Sequence, residues 1–174
     1  MGYTLGQMEI RRLKPSSLSI IRQGSDDRSA WADVAILGTQ LTATPEVAER
    51  LLLKHPSLAL HACKSSLPIP HQAFIPEDSH VDPATFGLLP NAQEDKGLFG
   101  EHLPGALLPH ALEHLAIDLL VVRFPDETFA GNTCWLEREE QIMRVRISLP
   151  KEAGPAPVSQ ALLDAAALLN EMLI

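Results

Sequence analysis

The stretch LPHALEHLAIDLL, residues 108–120, constrains the fold more than any other part of the sequence. Apolar residues recur at helical spacing through it, and Pro125 lies just beyond, so we predict a helix over residues 105–122. Both faces of this helix are rich in apolar residues, which is typical of a helix buried in the protein core. The face opposite the histidines carries Leu108, Leu112, Leu115, Leu119 and Val122.

Four ionisable residues interrupt this apolar helix. His110, His114 and Asp118 follow one another a turn apart and form one row, while Glu113 lies beside them. Burying such groups without partners costs several kcal/mol each, so something must satisfy them. A divalent metal ion does so most directly.

The spacing H-x-x-E-H is the inverted zinc motif. His110 and His114, one turn apart, reach one ion, and Glu113 is the general base that takes a proton from water. Catalytic zinc usually has three protein ligands and one open position, and Asp118 is our first choice for the third ligand. A helix with this spacing is also satisfied by hydrogen bonds alone in many proteins. The alternatives for the third ligand are Cys134 and His102.

The segments around this helix predict an α+β fold. The order of elements is strands, helix, loop, helix, strands, helix, which favours a single domain of 174 residues with a mostly antiparallel sheet covered by helices. We expect a two-layer sandwich. The predicted strands cover 16–23, 31–38, 129–137 and 141–149, and the other predicted helices cover 45–54, after an N-cap at Thr44, and 157–173.

Residues 64–104 differ from the rest of the sequence. This stretch contains prolines at positions 68, 70, 76, 83, 90 and 104 and shows no sustained periodicity. Long loops inside a compact domain are uncommon and tend to be functional. We predict a loop or flap at about 64–104, which either covers a site or is a tolerated insertion.

The formal charge of −8 argues against nucleic acid or an anionic membrane as the main partner. No apolar run approaches the length needed to span a bilayer, and the first residues lack the apolar core of a secretory signal. Two cysteines far apart in sequence suit a reducing compartment. We therefore expect a cytoplasmic protein with a neutral or cationic ligand; whether it forms a homo-oligomer is left open.

Taken together, these segments resemble the N-terminal domain of cyanophycin synthetase, the enzyme that polymerises aspartate and arginine. The helix GALLPHALEHLAIDLL is the most specific block, because that domain's distinctive helix also carries H-x-x-E-H followed by an acidic residue, here Asp118. Weaker blocks occur in the same order over most of the chain. They are SLSIIRQ, ADVAIL, EVAERLLLKHPSLALHACKS, FAGNTCWLERE, MRVRISL and VSQALLDAAALL.

The resemblance implies a domain that holds the polymer and, in some members, a metallopeptidase-like site that cuts it into primers. No segment resembles the ATP-grasp or Mur-ligase-like domains of that enzyme, so we expect a stand-alone homologue and not a synthetase. The same motif occurs in pitrilysin-type peptidases and in S-ribosylhomocysteine lyases. In the lyases a cysteine after the motif completes the zinc site, as Cys134 would here.

Two functions follow from these observations. The first is a zinc-dependent hydrolase of a peptide or isopeptide bond, acting on a polymer that carries arginine side chains. The second is a non-catalytic module that binds the polymer or a partner beside a separate Mur-ligase-like enzyme and keeps the motif as structure. Zinc content separates the two.

Overall fold

The computed structural model describes residues 16–64 and 96–173. The structure combines helices with antiparallel strands, so the α+β prediction is confirmed, and it adds two short strands and a short helix that were not predicted. The strands are β1 (Ser17–Ser25), β2 (Ser29–Leu37), β3 (Ala62–Lys64), β4 (Lys96–Leu98), β5 (Gly131–Glu137) and β6 (Ile142–Ser148). The helices are α1 (Pro45–Lys54), a 3-10 helix (Pro56–Leu60), α2 (Phe99–His102), α3 (Leu108–Arg123) and α4 (Ala156–Met172).

The larger sheet has four strands in the order β1-β2-β6-β5, and every neighbouring pair is antiparallel. Side chains of a strand alternate between the two faces of a sheet. In β2, Ala32 and Val34 are fully buried beneath the helices, whereas Trp31 and Asp33 belong to the opposite face. We call this opposite side the outer face of the sheet.

Helices α3 and α4 pack against each other and against the inner face of the sheet. The resulting hydrophobic core is one cluster that draws on both described segments of the chain. Helix α1 also contacts α4, and it begins as predicted, because the backbone N–H of Val47 donates to the Thr44 hydroxyl at 3.3 Å. The described helices and the four-stranded sheet therefore form two layers.

Two details of the central helix differ from prediction. It begins at Leu108 and not at residue 105, because Gly105 has a φ of 92°, a left-handed conformation that no helix contains. Leu107 is extended and forms an isolated β-bridge with Thr42. At the other end Val122 is 79% exposed, so the last turn of α3 leaves the core.

Residues 65–95, most of the predicted loop or flap, lie outside the described residues. The last part of that prediction was wrong, because residues 96–102 form β4 and α2. Strand β4 pairs with β3 to make a small second sheet, and the backbone N–H of Phe99 donates to the carbonyl of His61 at 2.8 Å. These contacts hold β4 and the start of α2 next to the segment around β3. None of the described helices combines the length and the apolar character needed to cross a bilayer.

Candidate metal centre

Helix α3 buries the motif residue His114 and leaves His110 partly buried at the wall of a cavity. His110 and His114 lie one turn apart, with ring centroids 5.0 Å from each other. The ring of Phe99 stacks on His114 at a centroid distance of 3.9 Å and an angle of 14°. The helix spacing brings the two imidazoles together, and an aromatic side chain from α2 restricts the rotation of one of them.

A thiol from β3 completes the group. The ligand atoms of Cys63, His110 and His114 all lie within 4.8 Å of one another, and Cys63 Sγ is 3.7 Å from His110 Nε2. Zinc bonds of usual length to sulfur and nitrogen, at tetrahedral angles, separate the two atoms by roughly 3.6 Å. The distance between Cys63 and His110 therefore fits a tetrahedral metal site, and this Cys/His/His group could hold a metal ion.

The protonation states of these residues suit a metal only in part. Burial, with His102 nearby, lowers the pKa of His110 to about 4. Burial, with His110 and His61 nearby, lowers the pKa of His114 to about 2. Both imidazoles are thus neutral at pH 7, the form that binds metals. Burial and the nearby Glu113 raise the pKa of the Cys63 thiol to about 11, so metal binding must displace its proton.

Glu113 is buried beside this group. Burial raises the pKa of its carboxyl to about 7, and a hydrogen bond from the Thr133 hydroxyl to Oε2 opposes that rise. A Cβ at position 131 would collide with Oε1 and Cδ of Glu113, so only glycine leaves room for the carboxyl there. Strand β5, which carries Gly131 and Thr133, therefore shapes the space around this side chain.

A cavity of about 660 Å³ opens next to the group. Cys63, His110, Glu113 and His114 line it, together with residues 127–133, which lead into and along β5. A small molecule or an extended segment of polymer in this cavity would lie against the three candidate ligands and the carboxyl of Glu113.

The structure places Asp118 in a different set of contacts from the one we predicted. Its Oδ1 accepts a hydrogen bond from the Ser57 hydroxyl at 2.5 Å and lies 3.2 Å from His61 Nε2. Among the described residues, the converging group contains Cys63 where the sequence suggested Asp118. Asp118 is therefore not one of the three members of the group, and its carboxylate is linked to the ring of His114 through His61.

The two alternative third ligands also lie elsewhere. Cys134 is opposite Arg144 in the β5–β6 pairing and its Sγ lies 3.7 Å from the carbonyl of Arg144. This position is on the outer face, away from Thr133 and Glu113. His102 is on α2, near enough to His110 to lower its pKa, but it is not part of the converging group.

Two residues of this region were not predicted, Cys63 and His61. No role in the site was predicted for the segment HPSLALHAC, which contains both residues. Its i, i+2 spacing of His61 and Cys63 was the available signal, because alternate residues of an extended segment share a face. What could not be read from sequence is that this face meets α3.

Comparisons of the chain with models of known protein families, with curated proteins and with solved structures find no match. The resemblance to the N-terminal domain of cyanophycin synthetase stays a prediction, and the site has to be interpreted from its own geometry.

Proposed function

We propose that the protein is a zinc-dependent hydrolase of a peptide or isopeptide bond. Cys63, His110 and His114 hold the zinc ion, and Glu113 is the general base. The observation that carries the proposal is the buried carboxyl of Glu113, with a pKa of about 7, next to a Cys/His/His group at the wall of a cavity. A general base is most effective when its pKa lies near the working pH.

A zinc ion held by these three residues would keep one coordination position open for water or substrate. It would polarise the scissile carbonyl and make water more acidic. Glu113 takes a proton from the attacking water as the new carbon–oxygen bond forms. It then gives this proton to the leaving amine nitrogen as the carbon–nitrogen bond breaks. The carboxyl thus returns to its starting state after each cycle.

Strand β5 prepares Glu113 for this task. The Thr133 hydroxyl donates to Oε2, which fixes the carboxyl group and leaves Oε1 for proton transfer. Because Gly131 has no side chain, Oε1 of Glu113 has room beside β5. A base whose orientation is fixed before the substrate binds loses less entropy during the reaction.

For the substrate we propose a polymer or peptide that carries arginine side chains. The net charge of −8 favours a cationic ligand, and the acidic Glu127 is among the residues that line the cavity. The sequence resemblance supports the same substrate, because cyanophycin synthetase polymerises aspartate and arginine. It also supports cooperation with a separate Mur-ligase-like enzyme.

The first experiment is elemental analysis of protein purified without chelators, and we expect about one zinc per chain. The zinc-loaded protein is then incubated with peptides and isopeptides that carry arginine, and with lysine- and glutamate-bearing controls. Hydrolysis that stops after chelation and returns with zinc supports the proposal. Zinc-loaded protein that binds these peptides and hydrolyses none supports the non-catalytic module instead, and protein without zinc contradicts the metal site.

A further inference from the structure

A chain of hydrogen-bonding groups leads from Asp118 to His114. The Oδ1 atom of Asp118 lies 3.2 Å from His61 Nε2, and His61 Nδ1 lies 3.2 Å from His114 Nδ1. The two imidazole rings have centroids 5.4 Å apart. Asp118 is 6% exposed, so water competes little for its oxygens.

The chemistry of each group decides where the hydrogens lie. A carboxylate oxygen only accepts, so the His61 nitrogen that faces Asp118 must carry a hydrogen. A neutral imidazole has one N–H, which leaves Nδ1 of His61 as an acceptor. The Nδ1 of His114 must then donate to it, and the lone pair of His114 is on Nε2.

We propose that Asp118 and His61 are positioning residues that hold His114 in the Nδ1–H tautomer and present its Nε2 lone pair to the metal. In many metal sites, the ring nitrogen that does not bind the ion is fixed by a carboxylate or another acceptor. Here a second imidazole stands between the carboxylate and the ligand. Asp118, predicted from sequence as a ligand, then acts on the metal site through His61. The role in metal binding rests on the proposed function, whereas the tautomer does not.

His55 provides a matched control. Its Nδ1 lies 3.5 Å from Oδ2 of Asp118, so it faces the same carboxylate through the other oxygen. The side chains of His55 and His61 are exposed to similar extents, 18% and 16%. Of these two histidines, only His61 also faces His114. Replacing either histidine with alanine removes a contact to Asp118, but only the His61 variant breaks the hydrogen-bonded path from Asp118 to His114.

The first test uses the metal-free wild-type protein and needs no substitution. Nitrogen-15 NMR of the imidazole rings, in mildly alkaline buffer, identifies which ring nitrogen carries the hydrogen. We expect Nδ1–H for His114 and Nε2–H for His61. An Nε2–H tautomer for His114 would overturn the proposal.

The second test measures zinc affinity by competition with a chelator and the absorption spectrum of the cobalt-substituted protein. His61→Ala should lower zinc affinity by about 10- to 100-fold and shift the cobalt spectrum, whereas His55→Ala should change neither. Asp118→Ala should match His61→Ala, and adding it to His61→Ala should change little further, because both act through one chain. If the double variant lost zinc affinity by the product of the two single losses, Asp118 would act on the metal independently of His61, and the proposal would be overturned.

The two proposals fail in different ways. If the protein binds no zinc but His114 has the Nδ1–H tautomer, the hydrolase is wrong and the hydrogen-bonded chain stands. If zinc binds with one equivalent and His61→Ala binds it as tightly as wild type, the metal site stands and the positioning role is wrong.

Discussion

Two buried carboxylates on opposite faces of the sheet have different partners. Asp33, on the outer face, is 1% exposed and accepts hydrogen bonds from Arg144 Nε at 2.7 Å and from Arg22 Nε at 2.8 Å. Glu113, on the inner side, is 5% exposed and its partner among the described residues is the hydroxyl of Thr133. One carboxylate is paired with two cations and the other with a neutral donor.

Their pKa values differ accordingly. Burial acts to raise the pKa of Asp33, but hydrogen bonds from Arg144 and Arg22 outweigh it, and the pKa lies below its usual range. Burial raises the pKa of Glu113 to about 7. Asp33 is therefore explained by structure alone. For Glu113 the hydrogen bond from Thr133 offsets only part of the electrostatic cost of burial, and carboxyls with such raised pKa values are frequent at functional sites.

The two cysteines repeat this contrast. Cys63 lies with His110 and His114, whereas Cys134 lies on the outer face beside Arg144. Both are buried, and burial raises the pKa of each thiol to about 11. Their difference is in what surrounds them, so burial alone does not identify the cysteine of the candidate metal centre.

The largest expected effect separates these cysteines. Cys63→Ala should reduce bound zinc from about one equivalent to nearly none, because it removes one of three ligands. His110→Ala should do the same. Cys134→Ala, the matched control, should keep full zinc content. Elemental analysis measures the zinc content. Equal zinc content in the Cys63 and Cys134 variants would show that Cys63 is not a ligand.

The second prediction concerns Asp33 as a structural residue. Asp33→Ala leaves the mostly buried Arg144 guanidinium without its carboxylate, which should lower the free energy of unfolding by about 3 kcal/mol. Asp27→Ala, in the exposed β1–β2 turn, should change it by less than about 0.5 kcal/mol. Denaturant titration measures both. Similar stability of the two variants would show that the arginine pairing contributes little.

The third prediction uses the raised pKa of Glu113 in metal-free protein. Below pH 4.5 the group is protonated in both the folded and unfolded states. Between about pH 4.5 and 7 the unfolded chain ionises first, so the free energy of unfolding should fall as pH rises, by about 3 kcal/mol in total. Above that range this contribution no longer changes with pH.

Glu113→Gln is the control for this pH dependence, because it removes the titrating group and keeps the shape. Subtracting its stability curve from that of the metal-free wild type isolates the contribution of Glu113. A difference that is flat with pH would mean that the carboxyl has an ordinary pKa.

The smallest effect in free energy is on catalysis. Glu113→Gln should keep zinc content and lower hydrolysis of an arginine-bearing peptide by about 10²-fold, which is about 2.7 kcal/mol of activation free energy. Glu139→Gln, in the exposed β5–β6 turn, should hydrolyse the same peptide at the wild-type rate. Unchanged activity of the Glu113 variant would show that another group accepts the proton.

Much of the architecture was predictable because it depends on local periodicity. Alternation along residues 141–149 predicted β6, and the Thr44-Pro45 start predicted α1, both confirmed. The boundary at residue 105 was wrong because a left-handed glycine stops the helix, and periodicity does not report φ.

The sequence by itself determined that His110, Glu113 and His114 share one buried helix, because a repeat of 3.6 residues per turn places them together wherever the helix packs. Only the tertiary structure decided which other side chains meet them. Cys63 is 47 residues from His110 along the chain, and His61 is 53 residues from His114. These pairs form because the 3-10 helix and the residues that follow it, His61 to Cys63, pack beside α3. Such contacts depend on how whole elements pack and leave no local pattern in the sequence.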